Sequence, residues 1–375
     1  MDYPVSLPLQ PTPSGQTLFA GRLRVFLHKS RGFPFHGDTI IGMRQFSRQS
    51  FRLCSQGLWP VLTCILLMIW SVLLTGPDCS AGENESTTRT NISLLDSRRG
   101  FATKVNRKRA DGEAPPEPPA QLLHSVKYRT PAGDLAAYIS PRPQDGKKRP
   151  AMIWLFGGFS NSIDENAWHR GPSENDQSAT AFREAGIIMM YPSLRGGNKN
   201  PGFIEGFYGE VDDVLAAVDF LTKLDYVDAK RIYLGGHSTG GTLALLVAES
   251  TDRFRGIFAF GPVEDASGYG AESLPFDISD RKEVELRSPG KWLQAIRNPT
   301  FVFEGIGRRS NIASVMAMSR VSQNSQIHFH PVKGGDHFSI LAPVSSVIAA
   351  KIISDEGPVS NISFTEKELS DALHK

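Results

Sequence analysis

Short apolar runs alternate with amphipathic stretches over residues 121–375, and this alternation predicts strands separated by helices. Strands are predicted around Met152 and at residues 187–191, 231–234, 256–260, 300–303 and 327–332; helices are predicted around Phe182 and at residues 211–224, 242–248, 291–296 and 344–353. Residues 124–130 and 135–140 read as a hairpin at an antiparallel edge. The pattern predicts an α/β fold, in which a mostly parallel twisted sheet carries helices on both faces, without a large cap domain.

The chain before this alternation differs in composition from the predicted domain at residues 121–375. Residues 1–42 show no structural pattern and are predicted to be a non-structural extension. Residues 43–81, here called the leader, are predicted to be a signal peptide or a signal anchor. Residues 82–120 are polar and proline-rich and include Arg107-Lys108-Arg109, so they are predicted to form a disordered spacer.

The leader has a basic start, an apolar centre and small residues at its end. Arg44 and two further arginines precede the apolar run at residues 58–74, and Ser80-Ala81 follows it, which is typical of a secretory signal peptide cut after Ala81. An uncleaved signal anchor is the alternative, and only then would residues 58–74 contact a membrane. Either interpretation exports the domain that follows, to the periplasm or the extracellular space or at the outer side of a membrane.

Overall charge and cysteine usage narrow the class of protein further. The 375 residues carry 41 basic and 39 acidic side chains, a formal net charge of +2, and no basic face suggests nucleic acid as a partner. The cysteines Cys54, Cys64 and Cys79 all lie in or beside the leader. We therefore expect a domain that is stable without disulfides.

The chemistry is indicated first by Gly-x-Ser-x-Gly, at the junction of a predicted strand and a predicted helix. Gly236 and Gly240 flank Ser238 at the spacing that a strained turn requires, because side chains at these two positions would collide. Such a turn exposes a serine hydroxyl. Ser238 is therefore predicted to be a nucleophile.

A serine nucleophile needs a general base, and His337 is suitably located. It lies on the glycine-rich loop Lys333-Gly334-Gly335-Asp336-His337, between the predicted strand at residues 327–332 and the final helix. An imidazole there can take the serine proton if an acid orients its other nitrogen. The chain order of Ser238 followed by His337 fits this arrangement.

Together these residues resemble the α/β-hydrolase superfamily, and within it the catalytic domains of prolyl oligopeptidase-like serine hydrolases. The resemblance runs from about residue 122 to 353 and is carried by Gly-His-Ser-Thr-Gly-Gly at 236–241, Gly-Asp-His-Phe at 335–338 and Tyr-Gly-Glu-Val-Asp-Asp-Val at 208–214. It implies an α/β-hydrolase fold, a Ser-His-acid mechanism that passes through an acyl-enzyme, and no cofactor.

The resemblance implies an aspartate after the next-to-last strand, but Arg308 stands at the matching position. Glu304, at the end of the strand before it, is the carboxylate expected to replace that aspartate, and Asp265 after the preceding strand is the alternative. Asp336 is interpreted as a turn residue because neighbouring side chains usually point apart. If Glu304 pairs with an arginine instead, a Ser-His dyad or an inactive relative would remain.

An oxyanion hole is expected where backbone amides face the serine. In the superfamily one donor is the amide after the nucleophile, here Thr239, and the other comes from the loop that follows the apolar run at residues 151–156, here Gly158 or Phe159. His328 and His330 share a strand face but lack a third ligand at suitable spacing, so no metal is expected. Arg195 either lines the cleft or is solvated.

These patterns predict an exported serine hydrolase whose substrate is a small-molecule ester or a short peptide. The residues before 121 are too few and too irregular for the β-propeller of large oligopeptidases, which favours an esterase-like activity over an oligopeptidase-like one. A prolyl oligopeptidase-like peptidase is the alternative among enzymes. The alternative outside enzymes is an inactive relative that binds a partner through the same cleft.

Overall fold

The computed structural model describes residues 92–374, and its centre is an eight-stranded sheet. The strands are β1 (His124–Thr130), β2 (Gly133–Ile139), β3 (Arg149–Leu155), β4 (Ile188–Pro192), β5 (Val227–His237), β6 (Gly256–Phe260), β7 (Thr300–Gly305) and β8 (Ile327–Val332). Their order is β1-β2-β4-β3-β5-β6-β7-β8; β2 pairs antiparallel with β1 and β4, and all other pairs are parallel. The predicted fold class is confirmed.

Helices cover both faces of this sheet. They are α1 (Leu94–Arg98), α2 (Thr180–Glu184), α3 (Glu210–Thr222), α4 (Thr239–Ala248), α5 (Arg281–Glu285), α6 (Ile312–Val321), α7 (Leu341–Ser354) and α8 (Glu366–Ala372). Successive strand residues point to opposite faces, so Ile153 packs in the core with α3 and α4, whereas Trp154 packs in the core with α2 and α7. A sheet buried on both faces explains the nearly continuous apolar strands.

The helices differ from the prediction in the following ways. The helix predicted at residues 291–296 is wrong, because that stretch forms two 3-10 turns, Pro289–Lys291 and Leu293–Ala295. Trp292 stands between the two turns with a φ of −124° and a ψ of 7°, outside the α-helical range, so one continuous helix cannot run through it. Conversely, α6 was not predicted. It buries two residues, Val315 and Met318, and so lacks the repeated apolar positions by which a helix is recognised in a sequence.

The spacer prediction is wrong for residues 92–120, which contact the domain. Leu94 is buried, and its amide donates to the carbonyl oxygen of Glu249 at 3.0 Å. The buried Arg98 guanidinium donates to the carbonyl oxygens of Phe207, Tyr208 and Leu286 at 2.7–2.9 Å. These few contacts hold the segment in place. It has no apolar periodicity, which is the pattern by which a packed segment is recognised in a sequence.

The predicted extension at residues 1–42 and the predicted leader at residues 43–81 lie outside the described residues. Across residues 92–374, no helix combines the length and the apolar character needed to cross a bilayer.

Candidate active site

The turn between β5 and α4 holds Ser238 in a strained conformation. Its φ of 56° and ψ of −114° are rare for a residue with a side chain. A Cβ at Gly236 would lie 2.4 Å from the carbonyl oxygen of Gly240, and one at Gly240 would lie 2.3 Å from that of Leu155. Both positions therefore require glycine, and the serine side chain remains partly exposed above the buried sheet.

A buried carboxylate lies against the imidazole of His337. The Nδ1 atom of His337 is 3.0 Å from Oε1 and 3.3 Å from Oε2 of Glu304, and the Glu304 side chain is fully buried at the end of β7. The backbone amide of Asn311 donates to Oε1 of the same carboxylate at 2.6 Å. This contact engages Nδ1 and leaves Nε2 as the nitrogen that can act as a base.

The other candidate acids have different roles. Asp265 accepts hydrogen bonds from the backbone amide and the hydroxyl of Ser267, at 2.9 and 2.6 Å, and so caps a 3-10 turn. Asp336 accepts from the amides of Phe338 and Ser339 at 3.0 and 2.9 Å. The structure therefore brings Glu304 to His337 and keeps Asp265 in a local turn. Arg308, where the superfamily has its aspartate, is exposed.

Gly261, which the sequence did not single out, connects the serine turn with the histidine loop. The amide of Ser238 donates to the carbonyl oxygen of Phe260 at 2.8 Å, so the serine turn is attached to the end of β6. Gly261 follows directly, with a φ of 56°, and its missing side chain leaves the space that the ring of His337 fills. Asn311 donates its side-chain amide to the carbonyl oxygen of Gly261 at 2.7 Å.

A second histidine supports the loop that carries His337. The ring of His237 is buried, and its Nε2 lies 3.1 Å from the carbonyl oxygen of His337. Burial, and to a smaller extent the proximity of His337, lower the pKa of His237 to about 3. His237 is therefore neutral near pH 7, and its Nε2 must carry the proton because a carbonyl oxygen can only accept.

The predicted oxyanion residues Thr239 and Gly158 are in contact. The Thr239 hydroxyl donates to the carbonyl oxygen of Gly158 at 2.5 Å, and Gly158 has a φ of 97°. Thr239 opens α4, where backbone amides have no partner within the helix. A Cβ at Gly157 would lie 3.2 Å from Cβ of Ser238, so this loop passes directly beside the serine.

Aromatic side chains pack beside the loop at residues 157–159, here called the oxyanion loop. Phe159 is 39% exposed, and its ring meets that of Tyr269 edge to face at a centroid distance of 5.3 Å. The ring of Phe207 also contacts that of Tyr269, at a centroid distance of 5.6 Å, and the Tyr269 hydroxyl is 2.7 Å from that of Thr242. Whatever group enters here meets a mainly apolar wall.

Neither predicted role of Arg195 agrees with the structure. Its guanidinium is buried and forms two hydrogen bonds with Asp213, at 3.0 and 2.9 Å, and one with Glu205 at 2.8 Å. Burial of a charge is tolerated when it is paired in this way. Arg195 therefore ties the loop after β4 to the start of α3, away from solvent.

The two histidines of β8 are packed against rings. His328 stacks on Phe301 at a centroid distance of 5.2 Å, and His330 stacks on Phe303 at 5.3 Å. Among residues 92–374, no group of three or more histidine, cysteine, aspartate or glutamate side chains could hold a metal ion.

A large groove lies apart from this chemistry. It has a volume of about 1240 Å³ and lies between α2, α7 and α8. Its lining includes Ser339 and Lys351 but none of Ser238, His337 and Glu304. Size alone therefore does not identify the site, which the strained serine and the His337–Glu304 contact define.

Comparison with known proteins agrees with this geometry. Residues 173–286 match the prolyl oligopeptidase family. Prolyl oligopeptidase A of Amanita bisporigera is 31% identical over 112 residues, which are 28% of this chain and 13% of that protein. Acylaminoacyl peptidase of Pyrococcus horikoshii has a TM-score of 0.51 at 13% identity over 66% of this chain and 43% of its own, and a puromycin hydrolase has a TM-score of 0.51 at 18% identity over 66% and 42%.

The sheet order and the strained serine turn give the described residues an α/β-hydrolase fold. Within that class, the chain resembles the catalytic domains of prolyl oligopeptidase-like serine hydrolases, and the resemblance expected from the sequence is confirmed. The chain spans less than half the length of each relative named above. The family match includes Ser238 but ends before Glu304 and His337.

Proposed function

We propose that the protein is an exported serine hydrolase that cleaves an ester or a peptide or amide bond through an acyl-enzyme. The observation that carries this proposal is the combination of a strained, partly exposed Ser238 with a buried His337–Glu304 pair. The family match at residues 173–286 supports the same class.

In the proposed mechanism, Oγ of Ser238 attacks the substrate carbonyl carbon while Nε2 of His337 takes its proton. Glu304 accepts from Nδ1 and so stabilises the imidazolium. The amides of Thr239 and of Gly158 or Phe159 donate to the oxyanion. His337 then protonates the leaving group as its bond breaks. Water, deprotonated by His337, releases the acid and restores the serine.

A fluorophosphonate probe tests this mechanism, because it is attacked by an activated serine and remains attached. The purified protein should be labelled, Ser238→Ala should abolish labelling, and Ser279→Ala should leave it unchanged because Ser279 is bonded to Asp277 on an exposed turn. A folded protein without labelling would contradict the proposal. It would favour the inactive relative that binds a ligand through its cleft.

An ester of a short acyl group is the proposed substrate class. A space of about 50 Å³ beside Gly158, Phe159 and Thr239 supports it, since this volume suits a small acyl group. The peptidases among the relatives favour an amide as the second candidate. Parallel assays with short-chain aryl esters and with aminoacyl and prolyl anilides separate the two, and a preference for the anilides would overturn the choice.

Export is proposed from the leader pattern alone, namely the succession of basic, apolar and small residues between Arg44 and Ala81. Sequencing of the native N-terminus distinguishes the alternatives. A start near Gly82 would support a cleaved signal, and membrane-bound activity with residues 58–74 retained would support an anchor. A soluble cytoplasmic protein that retains those residues would contradict both.

A further inference from the structure

Residues 101–111, here called the strap, are bonded first to the loop at residues 271–275. The amides of Asn106 and Arg107 donate to the carbonyl oxygen of Pro275 at 2.7 and 3.1 Å. The Arg107 guanidinium donates to the carbonyl oxygens of Glu272, at 3.0 Å, and of Ala271 and Leu274. Backbone carbonyls of one loop thus supply a set of acceptors for a single arginine.

The strap is bonded next to the loop that follows β4. The amide of Asp111 donates to the carbonyl oxygen of Gly196 at 2.6 Å, and the amide of Lys199 donates to that of Asp111 at 2.9 Å. The amide of Ile204 donates to the carbonyl oxygen of Arg109 at 2.9 Å. The strap therefore joins two loops that are distant in sequence.

The small space beside the oxyanion loop lies between these two loops. Gly158, Phe159 and Thr239 line it together with Leu274 and, from the strap, Arg109. The Arg109 guanidinium is fixed by a 2.6 Å hydrogen bond to the carbonyl oxygen of Ser273. The free volume of about 50 Å³ corresponds to roughly three or four water molecules, which is room for a short acyl group.

The position of this space indicates which part of a substrate it receives. A carbonyl oxygen held by the amides of Thr239 and Gly158 places its substituents beside them. Neither Ser238 nor His337 lines the space, but Thr239 and Gly240, which directly follow Ser238 in the chain, do. The leaving group, by contrast, must reach His337 to be protonated. The substituent that enters is therefore the acyl group.

We propose that the strap closes the acyl site and that Arg109 is a specificity-determining residue, which limits the enzyme to short acyl groups. This inference rests on the proposed hydrolase function. It assigns a role to a segment whose composition predicts a disordered spacer, and to a basic residue that the triad chemistry does not use.

The test compares aryl esters of increasing acyl length, from acetate to octanoate, with the full-length protein. Arg109→Ala should raise the ratio of kcat/KM for octanoate over acetate about tenfold, since methylenes that were excluded can now be accommodated. Arg109→Lys, which keeps a long side chain, should stay near the wild-type ratio. Arg99→Ala is the matched control, because Arg99 lies in the same N-terminal segment, is exposed and pairs with Asp96.

Fluorophosphonate labelling of Ser238 in all four proteins separates the possible failures. If Arg109→Ala is still labelled and its octanoate-to-acetate ratio of kcat/KM equals that of the wild type, the proposed role of the strap is overturned and the hydrolase function is not. An increase of the ratio in Arg99→Ala as large as in Arg109→Ala would overturn it as well. Absence of labelling in every protein, the wild type included, would overturn the proposed function and this inference with it.

Discussion

The imidazole of His337 fits against Gly261 so closely that a single methyl group would displace it. A Cβ at Gly261 would lie 2.4 Å from Cε1 and 2.6 Å from Nδ1 of His337, and 2.7 Å from Oε2 of Glu304. Real Cβ atoms do not approach other atoms to these distances. The positive φ of Gly261 adds backbone strain to any replacement.

Gly261→Ala should therefore lower kcat about 100-fold, because a displacement of about 1 Å costs that much in a positioned catalytic group. Steady-state kinetics with an aryl ester measure it, and circular dichroism reports whether the fold is retained. Gly268→Ala is the matched control, since a Cβ at Gly268 meets nothing within 4 Å. Equal activity in the two variants would contradict the tight fit.

Glu304→Gln should lower kcat by about 10³- to 10⁴-fold, because a neutral amide neither stabilises the imidazolium nor selects the required tautomer. Asp265→Asn should leave kcat near the wild-type value, since Asp265 bonds to Ser267. Both changes remove one negative charge and nearly preserve shape, so they form a matched pair. A large loss in Asp265→Asn with little loss in Glu304→Gln would exchange the two assignments.

Glu249→Gln should make stability depend less on pH. The Glu249 carboxyl group is fully buried, and neither of its oxygens has a hydrogen-bond partner among the described residues. Burial raises its pKa well above the usual value. As pH rises above about 4.5, the unfolded chain loses this proton while the folded one keeps it, so stability falls by at most about 1.4 kcal/mol per pH unit.

Urea unfolding of the wild type and of Glu249→Gln at pH 5 and pH 8 measures this effect. The variant should lose less unfolding free energy between the two pH values than the wild type loses. An identical loss in both proteins would show that the buried carboxyl group is ionised in the folded state.

His330→Phe should protect the protein against mild acid. Burial, and then the neighbouring His328, lower the pKa of His330 to about 4, whereas an unfolded histidine titrates near 6.5. Between these values the unfolded chain binds a proton that the folded one does not, so stability falls as pH decreases. Phenylalanine keeps the ring packing against Phe303 and Phe364 and removes the titration.

The melting temperature, measured between pH 6.5 and pH 4.5, should fall less in His330→Phe than in the wild type. His124→Phe, a change at an exposed position of β1, serves as the control and should follow the wild type. A parallel decline in all three proteins would exclude His330 as a source of acid sensitivity.

The strands were predictable because burial on both faces makes them short apolar runs; β6 and β8 have the predicted bounds. The serine turn was predictable because its two glycines are a local requirement. The partner of His337 could be narrowed only to Glu304, with Asp265 as the alternative, because both lie at or after strand ends and sequence does not reveal distances across a sheet. Gly261 is one of 35 glycines, and its role depends on a residue in another loop.

The packing of residues 92–120 against the domain could not be predicted for a different reason. Besides the buried Leu94, this segment is held by backbone amides and by arginine side chains that donate to backbone carbonyl groups, as Arg98 and Arg107 do. Such acceptors belong to every residue type and leave no trace in composition. A polar, proline-rich segment that is bonded in this way cannot be distinguished from a solvated one in the sequence.

The position of α1 decides where a recombinant form of this protein should begin. Expression from residue 121 would retain the whole sheet but would leave the groove that holds Leu94 empty and the carbonyl oxygens that Arg98 covers exposed to water. Aggregation during purification is the expected result. Recombinant expression should therefore start before residue 92, so that the product keeps α1 packed against the domain.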